Sequence, residues 1–276
     1  MPSQFVSTKW LANHLSDPDV AIVDASWYLP TSGRDPHAEY LVSHVPGAVF
    51  FDIDAIADKT TPLPHMLPSP AEFAAAVGNL GISQDMTIVV YDEQGLFSAP
   101  RAWWTFRTMG ARDVRILEGG GTKWRSEKRT LQSGPVERAP RRFSVRYNRD
   151  AVADFGQIRA AIADKSLQIA DARPAERFRG EAPEPRPGLK GGHIPGSVNV
   201  PFTTLTDAGK LKAPEELREI FAKAGVDLGK PVATICGSGV TAATLALALE
   251  TAGARHVAVY DGAWAEWGSR KDAEIA

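Results

Sequence analysis

The residues best suited to chemistry form one short loop, Cys236-Gly237-Ser238-Gly239-Val240-Thr241, which holds the only cysteine of the chain. An apolar run precedes the loop and an alanine-rich helical pattern follows it. The two glycines let the backbone turn tightly around the cysteine. Small side chains leave backbone N–H groups free to surround an anion at the start of a helix. Such amides would stabilise a Cys236 thiolate, which is a nucleophile, and also a persulfide that is one sulfur longer.

The alternative for Cys236 is an inert core residue, because free cysteine is among the most buried residue types. The motif Cys-Gly-Ser-Gly alone does not decide between the two interpretations. The position of Cys236 at the end of an expected strand favours function, since open α/β sheets bind ligands at the carboxyl ends of their strands.

The elements that must position this loop occur twice in the chain. The paired segments are Ala21–Ala25 with Gln168–Ala172, His44–Val49 with His193–Val198, Ile88–Asp92 with Val232–Cys236, Gly95 with Gly239, and Trp124 with Trp267. Short apolar strands alternate with helical patterns in each copy. We therefore predict two α/β domains, each a mostly parallel sheet flanked by helices. The first spans residues 1–132 and the second 151–276, with an arginine- and proline-containing surface linker at 133–150.

Bulk properties exclude several classes of function. The 276 residues are 43% hydrophobic and 23% charged, with a net charge of -2, which argues against a nucleic-acid partner. No apolar run approaches the roughly 20 residues of a membrane span. Residues Met1 to Trp10 have no signal-peptide pattern, and one cysteine fits a reducing compartment, so we expect a cytoplasmic protein.

With no second cysteine, an outside partner must discharge an oxidised or sulfur-loaded Cys236. The six histidines are scattered, so no metal site is expected.

Several further motifs accompany the cysteine loop. They are both His-(Val/Ile)-Pro-Gly segments, Asp171-Ala172-Arg173, Phe50-Phe51-Asp52-Ile53-Asp54, His65-Met66-Leu67-Pro68, Ser98-Ala99-Pro100-Arg101 and Tyr260-Asp261-Gly262-Ala263-Trp264. Together, over about Trp10 to Trp267, they resemble the tandem-domain rhodanese-type sulfurtransferases, and most closely those that use 3-mercaptopyruvate. The resemblance implies transfer of sulfane sulfur from 3-mercaptopyruvate to a thiol or cyanide through a Cys236 persulfide, with release of pyruvate and no cofactor. It also implies a catalytically silent N-terminal copy, in which Asp92 takes the place of the cysteine.

The same resemblance assigns roles to individual residues. Arg177 and Arg186 match arginines that hold the donor carboxylate, a task that suits the guanidinium fork. A protonation relay is implied for Ser238, His65 and Asp54, with the order of roles left open. The loop residues Gly237, Ser238, Gly239, Val240 and Thr241 would line the donor site and stabilise developing negative charge.

Other recurring residues are better explained by structure. His44 and His193 precede Pro-Gly in both copies, and we expect a shared structural role for them. Asp24 and Asp171 recur at strand ends, where their carboxylates are expected to hold backbone. Phe97 departs from the family pattern, in which a tyrosine often stands, although an aromatic wall is kept.

Three alternatives remain beside this interpretation. Thiosulfate-using relatives carry basic residues directly after the cysteine, and the neutral Gly237 and Ser238 disfavour that donor without excluding it. A cysteine phosphatase needs Cys-X5-Arg, but Ala242 stands at the sixth position after Cys236. A non-catalytic binding module is disfavoured by the intact cysteine loop. The sequence does not choose between a thioredoxin-like protein and a small thiol as the sulfur acceptor.

Overall fold

The computed structural model describes residues 4–276, and residues 1–3 of the predicted first domain lie outside this range. The α-helices are α1 (Thr8–Asn13), α2 (Pro36–Val42), α3 (Pro70–Asn79), α4 (Ala99–Thr108), α5 (Gly120–Ser126), α6 (Phe155–Asp164), α7 (Ala175–Phe178), α8 (Pro214–Lys223), α9 (Val240–Ala252) and α10 (Ala263–Trp267). The strands are β1 (Phe5–Val6), β2 (Val20–Asp24), β3 (Ala48–Phe50), β4 (Thr87–Tyr91), β5 (Asp113–Leu117), β6 (Val152–Ala153), β7 (Gln168–Asp171), β8 (Val198–Asn199), β9 (Thr206–Asp207), β10 (Lys210–Leu211), β11 (Val232–Ile235) and β12 (Val257–Tyr260).

The chain divides into two compact units. Among the described residues, the first comprises 4–58, Leu67–Asn148 and Ala208–Lys210, and the second comprises Lys59–Met66, Arg149–Asp207 and Leu211–Ala276. The domain boundaries drawn from the sequence stay a prediction beside this division.

The first unit is built on a five-stranded sheet in the order β1-β5-β4-β2-β3, and its four strand pairings are all parallel. Every residue of β2 is buried, as expected for a strand covered on both faces. Leu11 of α1 and Trp124 of α5 pack against one face of the sheet, in a cluster with Val89 and Tyr91 of β4. Helix α4 also contacts β4 and β5. The alternating strand and helix patterns of the sequence therefore produce a layered α/β fold.

The second unit repeats this plan with the strand order β6-β12-β11-β7-β8, again with parallel pairings. Helix α9 contacts the two central strands β11 and β12 and buries most of its residues, which are largely alanine and leucine. Both residue types favour helices. Strands β9 and β10 form a separate two-stranded sheet. The equivalent order of the two five-stranded sheets confirms the predicted internal repeat and the predicted fold class.

Residues 133–148 form an extended segment without helix or strand that lies along the first unit. Its backbone N–H groups donate to loop and helix-end carbonyls: Gly134 to Leu41, Arg141 to Gly78, Arg146 to Met109 and Asn148 to Thr108. The buried Phe143 ring packs edge-on against Phe73 of α3. The segment therefore combines a charged, exposed composition with one apolar anchor.

None of the helices described between residues 4 and 276 has the length and apolar character required to span a bilayer.

Candidate active site

The cysteine loop lies at the carboxyl end of a central strand of the second sheet. All four residues of β11 are buried, and the chain then passes through Cys236 to the start of α9 at Val240. Gly239 is the residue before the helix and has φ 82°, a left-handed conformation that favours glycine over residues with a side chain. The tight strand-to-helix corner expected from the two glycines is therefore present.

Cys236 is surrounded by backbone polar groups as well as by core side chains. Its residue exposure is 2%, and the N–H of Gly239 donates to Sγ over 3.1 Å. The carbonyl oxygens of Cys236 and Gly237 accept hydrogen bonds from the N–H groups of Trp264 and Ala265 at the start of α10. The N–H contact at Sγ suits a thiolate, and α10 fixes the loop that supplies it.

Arg177 brings a cationic fork to the same loop. It lies in α7, the short helix that follows β7, and its Nη2 atom is 3.0 Å from the position a Cβ atom would take on Gly237. A side chain at position 237 would therefore crowd the guanidinium, which gives a steric reason for glycine there. The Nε atom of Arg177 is buried and has no hydrogen-bond partner, while Nη2 donates to Glu184. A buried N–H without an acceptor is costly, so this edge is suited to an anionic ligand.

A network of buried charges supports Arg177 from behind. The Glu184 carboxylate accepts from Arg177 and, over 2.7 Å, from Nη1 of Arg173. Arg173 also pairs with Asp171 at 2.7 Å, and its guanidinium lies 4.0 Å from the ring centroid of Trp264. Arg173, Asp171 and Glu184 have side chains no more than 2% exposed. Opposite charges and full hydrogen bonding make this burial tolerable.

Arg186 and His65 form a second pair in the same unit. The Nη2 atom of Arg186 lies 3.3 Å from Nε2 of His65, and His65 has φ 60° and is buried. With Arg186 as the donor, Nε2 is the acceptor and His65 carries its proton on Nδ1.

Asp54 belongs to the first unit, where its Oδ2 atom accepts from the indole N–H of Trp27 over 2.8 Å. The Trp27 ring in turn stacks on Phe97, with ring centroids 6.1 Å apart. The described contacts thus join Arg177 to the cysteine loop and His65 to Arg186. The relay of Ser238, His65 and Asp54 stays a prediction, as do the donor contacts of Val240 and Thr241.

The equivalent corner of the first unit holds the carboxyl group of Asp92 in place of the thiol. The Asp92 carboxylate is buried, and its Oδ2 atom accepts from the backbone N–H groups of Phe97, Ser98 and Ala99 at 2.9, 2.8 and 2.7 Å. Its Oδ1 atom accepts from Gln94 over 2.9 Å. Burial raises the pKa of Asp92, and the amide hydrogen bonds act against that rise. The amides of this loop therefore form a nest around the Asp92 carboxylate in the first unit.

The repeated histidines have matching structural roles, as predicted. Nδ1 of His44 lies 2.8 Å from the carbonyl oxygen of Tyr40, and the two rings stack. Nδ1 of His193 lies 3.0 Å from the carbonyl oxygen of Phe178, again with stacked rings. Burial lowers the pKa of His44, in keeping with a neutral ring.

The repeated aspartates also hold backbone as predicted, but their surroundings differ. The N–H of Ser26 donates to Asp24 and that of Arg173 donates to Asp171, both over 2.9 Å. Asp171 has the Arg173 guanidinium as a partner. The first copy has Ser26 in that place, and burial raises the pKa of Asp24 to about 6.

Glu184 contacts both Arg173 and Arg177, and the sequence did not single it out. It stands next to Pro185 in a charged, proline-containing loop, where exposed carboxylates are the usual expectation. Its burial between two arginines is visible only in three dimensions. Within residues 4–276, no cluster of three or more histidine, cysteine or carboxylate side chains is arranged to hold a metal ion.

Comparison with known proteins agrees with this geometry. The rhodanese-like domain family matches residues 7–127 and again 154–270. The 3-mercaptopyruvate sulfurtransferase of Escherichia coli (strain K12) is 49% identical over 272 residues, which cover 98% of this chain and 97% of the relative. A thiosulfate sulfurtransferase of Rattus norvegicus is 46% identical over 277 residues, covering 98% and 93%.

The crystal structure of SseA from Escherichia coli, a 3-mercaptopyruvate sulfotransferase, superposes with a TM-score of 0.89 at 48% identity. The match covers 95% of this chain and 99% of that one. The two family matches coincide with the two repeated sheets, and they span most of the sequence. The chain belongs to the rhodanese-like family and carries two copies of its domain.

Proposed function

We propose that this chain is a sulfurtransferase that moves sulfane sulfur from 3-mercaptopyruvate to a thiol, or to cyanide in the test tube, and releases pyruvate. The observation that carries the proposal is the placement of Arg177. Its guanidinium borders the Cys236 loop and has a buried N–H without an acceptor. A donor that joins a carboxylate to a transferable sulfur matches both groups at once.

In the first half-reaction the Cys236 thiolate attacks the sulfur of the donor. A new S–S bond forms, the C–S bond of the donor breaks, and its electron pair leaves with the carbon fragment as the enolate of pyruvate. Arg177 and Arg186 hold the carboxylate and the keto oxygen during this step. The Gly239 amide and the Ser238 hydroxyl stabilise the negative charge that develops beside them.

The donor's thiol proton remains on the outer sulfur of the persulfide after the first step, and transfer of this proton to C3 of the enolate then gives pyruvate and a persulfide anion. We assign this proton transfer to the predicted relay of Ser238, His65 and Asp54. The contact between Arg186 and His65 supports a neutral His65. In the second half-reaction an acceptor thiolate attacks the outer sulfur of the persulfide. The S–S bond breaks, and Cys236 returns as the thiolate.

The acceptor we propose is a small thiol or a thioredoxin-like protein, and the compartment is the cytoplasm. A single cysteine leaves no internal thiol to resolve the persulfide, so an outside thiol must complete the cycle. Reduced thiols are abundant in the cytoplasm.

Thiosulfate is the second candidate donor, because a relative that carries that name is 46% identical to this chain. The neutral Gly237 and Ser238 after the cysteine act against it, since a dianion needs positive charge to offset the loss of its water.

A comparison of donors tests the proposal. Pyruvate release from 3-mercaptopyruvate and a thiol should greatly exceed thiocyanate formation from thiosulfate and cyanide, and the reverse ranking would assign the protein to thiosulfate chemistry. Intact-mass analysis after donor treatment should reveal one added sulfur on the wild-type chain and none on Cys236→Ser. Sulfur retained by that variant would exclude Cys236 as the carrier.

A further inference from the structure

The buried charges behind Arg177 form a continuous chain from the sheet to the cysteine loop. Asp171 at the end of β7 pairs with Arg173, Arg173 pairs with Glu184, and Glu184 pairs with Arg177. Arg177 then contacts the space over Gly237. Each link is an ion pair between atoms in hydrogen-bond contact, and three of the four charged side chains are almost fully buried.

Within this series of ion pairs, Glu184 is the residue that contacts both Arg173 and Arg177. Its Oε1 atom accepts from Arg173, and its Oε2 atom accepts from Nη2 of Arg177. Since Arg173 is held independently by Asp171 and by the carbonyl of Gly192, Glu184 has a fixed base from which to orient Arg177. The position of the fork beside the cysteine loop therefore depends on Glu184.

The charges in the chain also balance, because two carboxylates, Asp171 and Glu184, face two guanidinium groups. Arg177 accordingly offers a buried N–H to a ligand, but much of its positive charge is already compensated. A donor with one carboxylate needs this single oriented contact. A dianion needs further positive charge to offset the loss of its water.

We propose that Glu184 is a positioning residue that holds Arg177 against the cysteine loop and makes the site selective for singly charged donors over the dianion thiosulfate. This inference rests on the proposed function, because it assumes that Arg177 binds the donor. It assigns the discrimination to a buried acid behind the arginine, in addition to the neutral residues of the loop.

The test compares Glu184→Gln with wild type and with Glu181→Gln. Glu181 lies in the same loop, pairs with the exposed Arg179, and gives a variant with the same change in charge at the surface. The ratio of kcat/KM for thiosulfate to kcat/KM for 3-mercaptopyruvate should rise about tenfold or more in Glu184→Gln, because one buried negative charge is lost beside Arg177. In Glu181→Gln it should stay within about twofold of wild type, since solvent screens the exposed pair.

A second variant separates position from charge and decides the case if Glu184→Gln does not fold. Glu184→Asp keeps the charge but shortens the reach to Arg177. We expect KM for 3-mercaptopyruvate to rise about tenfold with little change in kcat, because a binding contact shared by ground and transition states is lost. An unchanged KM in Glu184→Asp, or an unchanged donor ratio in a folded Glu184→Gln, would overturn the inference. If the wild-type enzyme releases no pyruvate from 3-mercaptopyruvate, the proposed function itself fails.

Discussion

Replacement of Arg177 by lysine tests the donor site most directly. In the structure Nη2 donates to Glu184 and the buried Nε has no acceptor, and the proposed function places the donor carboxylate at this guanidinium. A lysine ammonium is a point charge on a flexible stem, and when it pairs with Glu184 it has no second N–H in the place of Nε. One charge-assisted hydrogen bond to the donor is therefore lost. Such a bond contributes about 2 kcal/mol, which corresponds to roughly a 30-fold loss in kcat/KM.

The loss should appear mainly in KM, because the carboxylate does not react and is held equally before and during the chemical step. Initial rates of pyruvate release over a range of 3-mercaptopyruvate concentrations measure both constants. The matched control is Arg179→Lys, two residues along the chain, where an exposed arginine pairs with Glu181 at 2.7 Å. Solvent screens that exposed pair, and it lies outside the described contacts of the cysteine loop.

Equal kinetic constants for Arg177→Lys and Arg179→Lys would refute the reasoning. They would show that the orphaned N–H of Arg177 is not used by the donor. An effect on kcat alone would refute it as well, since it would move the role of Arg177 from binding to the chemical step.

Two further predictions concern the second and first units. Gly239→Ala should slow both persulfide formation and alkylation of Cys236 by iodoacetamide, because alanine at φ 82° costs about 1 kcal/mol and displaces the N–H from Sγ. Gly253→Ala, with φ 112° at the far end of α9, should lower stability similarly and leave both rates unchanged, and equal slowing in the two variants would contradict the role of the amide. Burial raises the pKa of Asp24 from 3.8 to about 6, so the folded state binds this proton more tightly than the unfolded state does. The stability it contributes is fully present below pH 3.8 and is lost as pH rises through 6, by about 3 kcal/mol in total. Asp24→Asn should therefore gain on wild type in urea denaturation between pH 4 and pH 8, and a pH-independent difference would argue against the shift.

The repeat and the sheet could be predicted because they depend on local sequence signals, namely apolar strand patterns, glycines at turns and runs of helix-forming residues. A strand-to-helix corner around Cys236 is indicated by the apolar run of β11, by the two glycines and by the alanines of α9. The matching of Asp24 with Asp171 and of His44 with His193 similarly revealed shared backbone contacts.

The charge network was not open to prediction in this way. Sequence spacing does not show that the carboxylate of Glu184 turns inward, since burial of a charge depends on partners that the fold supplies. The apolar anchor at Phe143 was hidden for a similar reason, because one phenylalanine among arginines does not define a strand or a helix. The closeness of Gly237 to the guanidinium of Arg177 is likewise a tertiary contact that the sequence does not show.

The carboxylate of Asp92 has a consequence for any attempt to place a cysteine at the equivalent corner of the first unit. Its oxygens lie two bonds beyond Cβ, the same reach as the outer sulfur of a loaded cysteine, whereas a bare thiol ends one bond short. A cysteine introduced at position 92 would leave the amides of Phe97, Ser98 and Ala99 facing a weak and distant acceptor. These amides would be well satisfied by a cysteine only while it carried an outer sulfur, so a cysteine at position 92 would need a differently shaped loop to hold a bare thiolate.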